Sequence, residues 1–237
     1  MNHFDSVSLP YAGTGRSAAE RVTAFLRVVY GWMFAGLTVT AVVAWLVAGT
    51  PSLLMAIATN RVAFWGIVLI QLGMVFYLSA RVQRLAPGTA AALFLAYSAV
   101  TGVTMAFVLL IYTGESVAMT FFVAAGMFGA MAVYGTTTRR SLAGVGQFMF
   151  MGLIGLVLAS IVGIFWRNDA LQFLIAFIGV IVFTGLAAWD AQRLKAMAVA
   201  LPDGRLGAYA IVGALSLYLD FINLFLSLLR LLGGRRD

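Results

Sequence analysis

Seven apolar stretches follow one another along the chain, at residues 28–49, 62–80, 90–112, 117–134, 144–166, 170–189 and 208–232. Each is long enough, as a helix, to cross about 30 Å of hydrocarbon. The pattern therefore predicts an all-α membrane protein of seven transmembrane helices. Polar or helix-breaking residues punctuate it at Gly49-Thr50-Pro51, Ala86-Pro87-Gly88, Thr113-Gly114 and Pro202-Asp203-Gly204. The connections are short, so neighbouring helices are expected to be antiparallel. Upstream, Ser17-Ala18-Ala19-Glu20 has capping-box spacing, which predicts a helix that starts there and runs into the first span. Residues 190–201 lack breakers and suit a helical extension of span six past the bilayer. The chain divides into a polar tail and helix start (1–27), a seven-helix transmembrane domain (28–232) and a basic tail (233–237). The first apolar run is too long for the core of a cleavable signal peptide, and none is expected.

Polar positions inside the spans are few and patterned. In span seven, Ser216, Asp220, Asn223 and Ser227 stand at i, i+4, i+7 and i+11, one face of a helix, and Gly213 extends the stripe. The other faces carry Leu, Phe, Ile and Tyr. A helix surrounded by lipid has no reason to segregate polar groups, so this face is expected to point inward and span seven to be central, packed by the other six. Shorter stripes occur at Tyr97, Thr101 and Thr104 in span three and at Gln71 in span two, and span five has a Gly155, Ala159, Gly163 seam. Their ordinary role is to glue helices together.

Composition agrees with a bilayer as solvent: 63% of the 237 residues are hydrophobic and only 10% charged. Cysteine is absent, which excludes disulfides, thiol catalysis and thiolate metal sites. The net charge is +7, but the basic residues are scattered at span ends, where they report topology. No nucleic-acid partner is expected. Ten Lys and Arg fall on the N-terminal side of the spans and five on the other, which puts the N-terminus in the cytoplasm. Seven crossings then leave the C-terminus outside. The basic tail with Arg230, Arg235 and Arg236 fits instead a re-entrant last span or six crossings, and both arrangements stay open. The Arg- and Ala-rich composition suggests a bacterial inner membrane.

Asp220 is the central chemical feature. It lies about 12 residues, roughly 18 Å of helix, from either end of its span. An ionised group at that depth costs at least about 2.5 kcal/mol, so it is expected to face a polar interior, a partner or an ion path. The plain alternative is a structural acid hydrogen-bonded to nearby hydroxyls. Asp190 closes span six, where an acid is cheaper and is often just interfacial. Arg81 and Arg84, at the end of span two, share its depth. Two carboxylates brought within a few ångströms resist holding two charges and share a proton. Such a pair, with hydroxyl and carbonyl oxygens, also suits Ca²⁺ as a weakly bound or permeant ion. No tightly bound cofactor is expected. His3 is the one histidine, and it lies in the tail. No glycine-rich phosphate loop is present. Two acids on adjacent helices also describe an aspartyl protease, but no Gly-Asp motif flanks either, and an enzyme is not predicted. Glu115 and Asp169 fall in outward loops.

The run Ala214-Leu215-Ser216-Leu217-Tyr218-Leu219-Asp220-Phe221-Ile222-Asn223-Leu224-Phe225, followed by Leu228-Leu229-Arg230, closely resembles the signature of the transmembrane Bax inhibitor motif (Bax inhibitor-1) family. Trp189-Asp190-Ala191-Gln192-Arg193-Leu194-Lys195 resembles that family's second acidic motif. The resemblance covers the whole chain. It implies a seven-helix fold with the last helix central, and a pH-sensitive Ca²⁺ leak in which Asp190 and Asp220 sense protons and meet the cation. It further implies an arginine latch on the span-six acid. Arg84 is the best match by its spacing to Thr101-Gly102-Val103-Thr104, with Arg81 the alternative. Ser216 and Asn223 are the expected supporting polar face. Some bacterial relatives act instead as partners of a membrane-anchored protease, and eukaryotic members are linked to suppression of cell death. A non-conducting regulator that docks through residues 1–20 is therefore the second functional reading, and a proton-coupled transporter the third.

Overall fold

The computed structural model describes residues 17–81, 84–166, 168–202, 206–234 and 236. Residues 1–16 of the polar tail lie outside this set, as do Asp203 and Gly204 of the last breaker. The described residues form eight helices: α1 (Ala18–Ala48), α2 (Pro51–Thr59), α3 (Arg61–Arg81), α4 (Pro87–Ile111), α5 (Gly114–Thr137), α6 (Ala143–Phe165), α7 (Asp169–Ala200) and α8 (Leu206–Leu232). All but α2 are long and apolar enough to span a membrane. The chain is a seven-helix membrane protein.

Local sequence explains most boundaries. Glu20 N–H donates to Ser17 Oγ (3.2 Å) and Ser17 N–H to Glu20 Oε2 (2.9 Å), closing the expected capping box at the start of α1. Helix α2 is an addition to the sequence reading, which takes Gly49-Thr50-Pro51 as a turn. Proline stands at the first helical position of α2, where its missing N–H has no intrahelical acceptor to lose. Asn60 then separates α2 from α3, its Oδ1 accepting the amides of Val62 (3.0 Å) and Ala63 (3.1 Å). Helix α7 has 32 residues, about 48 Å, so it outruns the hydrocarbon core. The extension past Asp190 is helical, as expected.

Helix α8 is the centre of the bundle. Of its most apolar 18 residues 61% lie inside the protein, against 6% for α3. Four helices pack on it, α7, α1, α5 and α4, rather than the six expected. Helix α3 joins the bundle through α4, and α6 through α7. The α1–α4 packing is the most extensive of all and depends on Gly102. A Cβ there would meet the Thr40 carbonyl oxygen and Val43 Cβ, each at 2.7 Å, so only glycine lets the two backbones approach this closely.

Contacts between distant residues sort the loops to two ends. Arg21 Nη2 donates to the Leu201 carbonyl (2.7 Å), and Gly207 packs against Pro87. These join the start of α1, the end of α7 and the α3–α4 and α7–α8 connections. At the other end, Thr113 N–H donates to the Gly234 carbonyl (3.1 Å) and Arg236 N–H to that of Ile111 (2.9 Å), zipping the C-terminal segment onto the α4–α5 turn. Helix α8 is continuous and runs from one end of the bundle to the other, as a full crossing requires and a re-entrant span does not, and it puts Ala18 and Leu232 at opposite ends.

Candidate functional site

Helices α7 and α8 run antiparallel, and small residues set their register. Gly179 faces the Ser227 hydroxyl, while Gly213 accommodates the Leu194 side chain. A Cβ on Gly179 would collide with Ser227 Oγ, so glycine allows α7 to lie over the polar stripe of α8. This register puts Asp190 level with Ser216, about one helical turn from Asp220. The two acids singled out from sequence are thus brought together.

Asp220 is 6% exposed. Its Oδ2 is sealed from solvent and accepts no hydrogen bond among the described residues. The alternative reading, a structural acid satisfied by neighbouring hydroxyls, fails at that atom. Asp190, 13% exposed, faces Arg193 at 4.0 Å, one turn along its own helix. The Arg193 guanidinium also lies over the Trp189 ring, 5.6 Å from its centroid. An arginine 58% exposed can swing between acid, ring and water at little energetic cost.

Neighbours of Asp190 in the motif serve assembly. Gln192 accepts the Leu142 amide (2.8 Å) and donates to the Arg140 carbonyl (2.9 Å), tying the start of α6 to α7. Lys195 Nζ donates to the Thr136 carbonyl (2.6 Å) at the end of α5, where an orphan carbonyl and the helix dipole favour a cation.

The polar stripe of α8 opens into two cavities, one on each side of Asp220. Toward the C-terminal end of α8, a cavity of about 600 Å³ between α6, α7 and α8 is lined by Asn223, Ser227, Arg230 and Gln172 among apolar walls. The Asn223 amide donates to the Leu219 carbonyl (2.8 Å) and the Ser227 hydroxyl to that of Asn223 (2.7 Å). Both donors serve their own helix, so oxygen lone pairs remain for a ligand. Toward the other end, a cleft of about 40 Å³ is lined by Asp190, Arg193, Ser216 and Tyr209. Asp220 lines neither; it sits in the packed layer between them. Among the described residues no group of three or more His, Cys, Asp or Glu gathers here.

Arg84 is exposed in the turn between α3 and α4, at the same end of the bundle as Asp190. Among the described residues neither it nor Arg81 forms an ion pair with the acid; Arg193 does. The sequence reading takes Arg193 as a topology charge. The signal for its second role is its i+3 spacing from Asp190.

The chain matches the family described as Inhibitor of apoptosis-promoting Bax1 over residues 22–237. It is 47% identical over 235 residues to the Inner membrane protein YbhL of Escherichia coli K12, covering 98% of this chain and 97% of that protein. Relatives from Borreliella burgdorferi and Deinococcus radiodurans are 44% and 41% identical, over 90% and 95% of this chain and 93% and 96% of their own lengths. On this likeness and on its seven-span architecture, the chain belongs to the Bax inhibitor family of membrane proteins.

Proposed function

We propose that the chain is a passive, pH-regulated cation leak, with Ca²⁺ as permeant ion, whose path follows the polar face of α8 and is closed at Asp220. The observation that carries this reading is a buried carboxylate with an oxygen unpartnered among the described residues, lying between two cavities whose largely apolar walls carry a few polar groups. An acid retained at mid-membrane without a hydrogen bond is a poor structural element and a good ion or proton contact. The cavities supply Asn223 and Ser227 on one side and Ser216 and Asp190 on the other, oxygen ligands of the hard type that Ca²⁺ takes. Two carboxylates make a weak site, which permeation needs.

Asp190 and Asp220 are the sensor. A proton added to the pair weakens the hold of Asp190 on its arginine, freeing the helix that carries it. Arg84 takes Asp190 in a latched state, and Arg193 holds it in the state described here. The position of Arg84 at the right end of the bundle supports this assignment. Acidification opens the leak, and still more protons displace the cation, so flux peaks at an intermediate pH. The excess of basic residues on the N-terminal side and the name of the Escherichia coli relative support a bacterial inner membrane, with the N-terminus cytoplasmic.

The test is Ca²⁺ entry into dye-loaded proteoliposomes between pH 5 and 8. The wild type is expected to pass Ca²⁺ above empty vesicles, without saturation at low millimolar concentrations. A folded protein with no flux above empty vesicles would contradict the leak. It would favour a non-conducting regulator of a membrane-anchored protease, for which deletion of residues 1–20 should abolish partner regulation.

A further inference from the structure

Helix α3 is the odd member of the bundle. Of its 21 residues only Leu78 is buried, and among the described residues it packs mainly on α4 and α2. Lipid tails are as apolar as its side chains, so no hydrophobic force favours protein over bilayer for this helix. Gln71 is different. It stands at the midpoint of α3, where an unpaired amide in hydrocarbon is costly. Its Nε2 reaches Thr101 Oγ1 at 3.1 Å and Thr104 Oγ1 at 3.4 Å on α4. Those hydroxyls spend their own hydrogens within α4, on the carbonyls of Tyr97 (3.0 Å) and Thr101 (2.8 Å). Only their lone pairs are left, and the two N–H bonds of one amide match two such acceptors.

The acceptor side is anchored to the central helix. Tyr218 of α8 lies fully buried, edge-on to Phe94 and Tyr97 of α4, with centroids 5.6 and 5.9 Å away. Its hydroxyl is 2.6 Å from Thr40 Oγ1 of α1. Thr40 donates to the Ser98 carbonyl (2.9 Å), so Tyr218 is the donor of that pair. Four helices thus meet in one mid-membrane polar cluster, and Gln71 is the contribution of α3.

We infer that Gln71 is a positioning residue, a polar pin whose double hydrogen bond to Thr101 and Thr104 docks α3 on the bundle in one register. The inference stands whether or not the chain conducts ions. Its test uses the full chain in lipid nanodiscs and exploits the absence of cysteine. Spin labels go on Phe76→Cys in α3 and Phe122→Cys in α5, both lipid-facing. A control pair joins Phe122→Cys to Phe148→Cys in α6, leaving α3 out.

Gln71→Leu is expected to add a second α3–α5 distance, changing the ratio of docked to undocked helix about 3- to 30-fold, as one or two interhelical hydrogen bonds in a bilayer allow. Replacing both threonines by valine should do the same, and combining the changes should add nothing. Serine at both positions should restore the wild-type distribution. The control distance should stay fixed throughout. An unchanged α3–α5 distribution in Gln71→Leu would overturn the inference, as would additive effects or an equal shift in the control pair. Should Gln71→Leu not fold, the valine and serine pairs decide alone: identical distributions in both would overturn it.

Discussion

Asp220 and Tyr218 are two residues apart on α8 and show two ways of handling a polar atom at mid-membrane. Tyr218 gives its hydroxyl to Thr40, and Tyr218→Phe is expected to lower stability by about 1 kcal/mol, read as a fall in unfolding midpoint. Asp220 leaves an oxygen without a partner among the described residues, and the proposed function rests on that difference. Both acids were legible from sequence, because a charge inside an apolar run stands out. The partners of Asp190 were not. Arg193 looked like any arginine at a span end, and Gln192 and Lys195 find their acceptors, the Arg140 and Thr136 carbonyls, more than 50 residues away, a distance no local pattern encodes. Arg193→Gln should change stability by less than about 1 kcal/mol, because the contact is long and the arginine largely exposed. On the leak reading, it should nonetheless shift the pH at which flux peaks, measured in the same vesicles. An unshifted peak would leave Arg84 as the arginine that matters.

Among the elements, the spans and the capping box followed from periodicity and spacing, since hydrocarbon thickness and orphan amides impose fixed lengths and fixed residue types. Helix α2 did not. A proline after glycine and threonine reads as a stop, yet the same proline suits the first position of a new helix. Which helices touch was legible only for α8, through its polar stripe. The pairing of α1 with α4 depends on Gly102, a single small residue among many. Gly102→Ala would bring a methyl within 2.7 Å of the Thr40 carbonyl, so the helices must separate. That overpacking is expected to cost about 1–3 kcal/mol, measurable by thermal unfolding in detergent. Gly73, where an added Cβ meets nothing within 4 Å, is the matched control and should tolerate alanine.

At the scale of the molecule, seven crossings separate the two ends of the chain. A single cysteine at Ser17 and another at Gly234 should react with a membrane-impermeant reagent from opposite faces; on the orientation proposed above, Ser17→Cys reacts only after the cytoplasmic face is opened. Labelling of both from one face would contradict the topology. The same architecture leaves one central helix whose polar face runs from a small cleft, past a buried carboxylate, to a large cavity. Whether that line carries ions is the central claim, and Ca²⁺ flux at pH 5 to 8 through wild type and Asp220→Asn tests it most directly. The amide keeps the shape of the acid but neither charges nor exchanges a proton in this range. The account predicts a pH-dependent flux in the wild type and, in Asp220→Asn, a rate at least several-fold different that no longer follows pH in the same way. Equal flux with an unchanged pH profile in a folded variant would show that Asp220 lies neither in the path nor in its sensor.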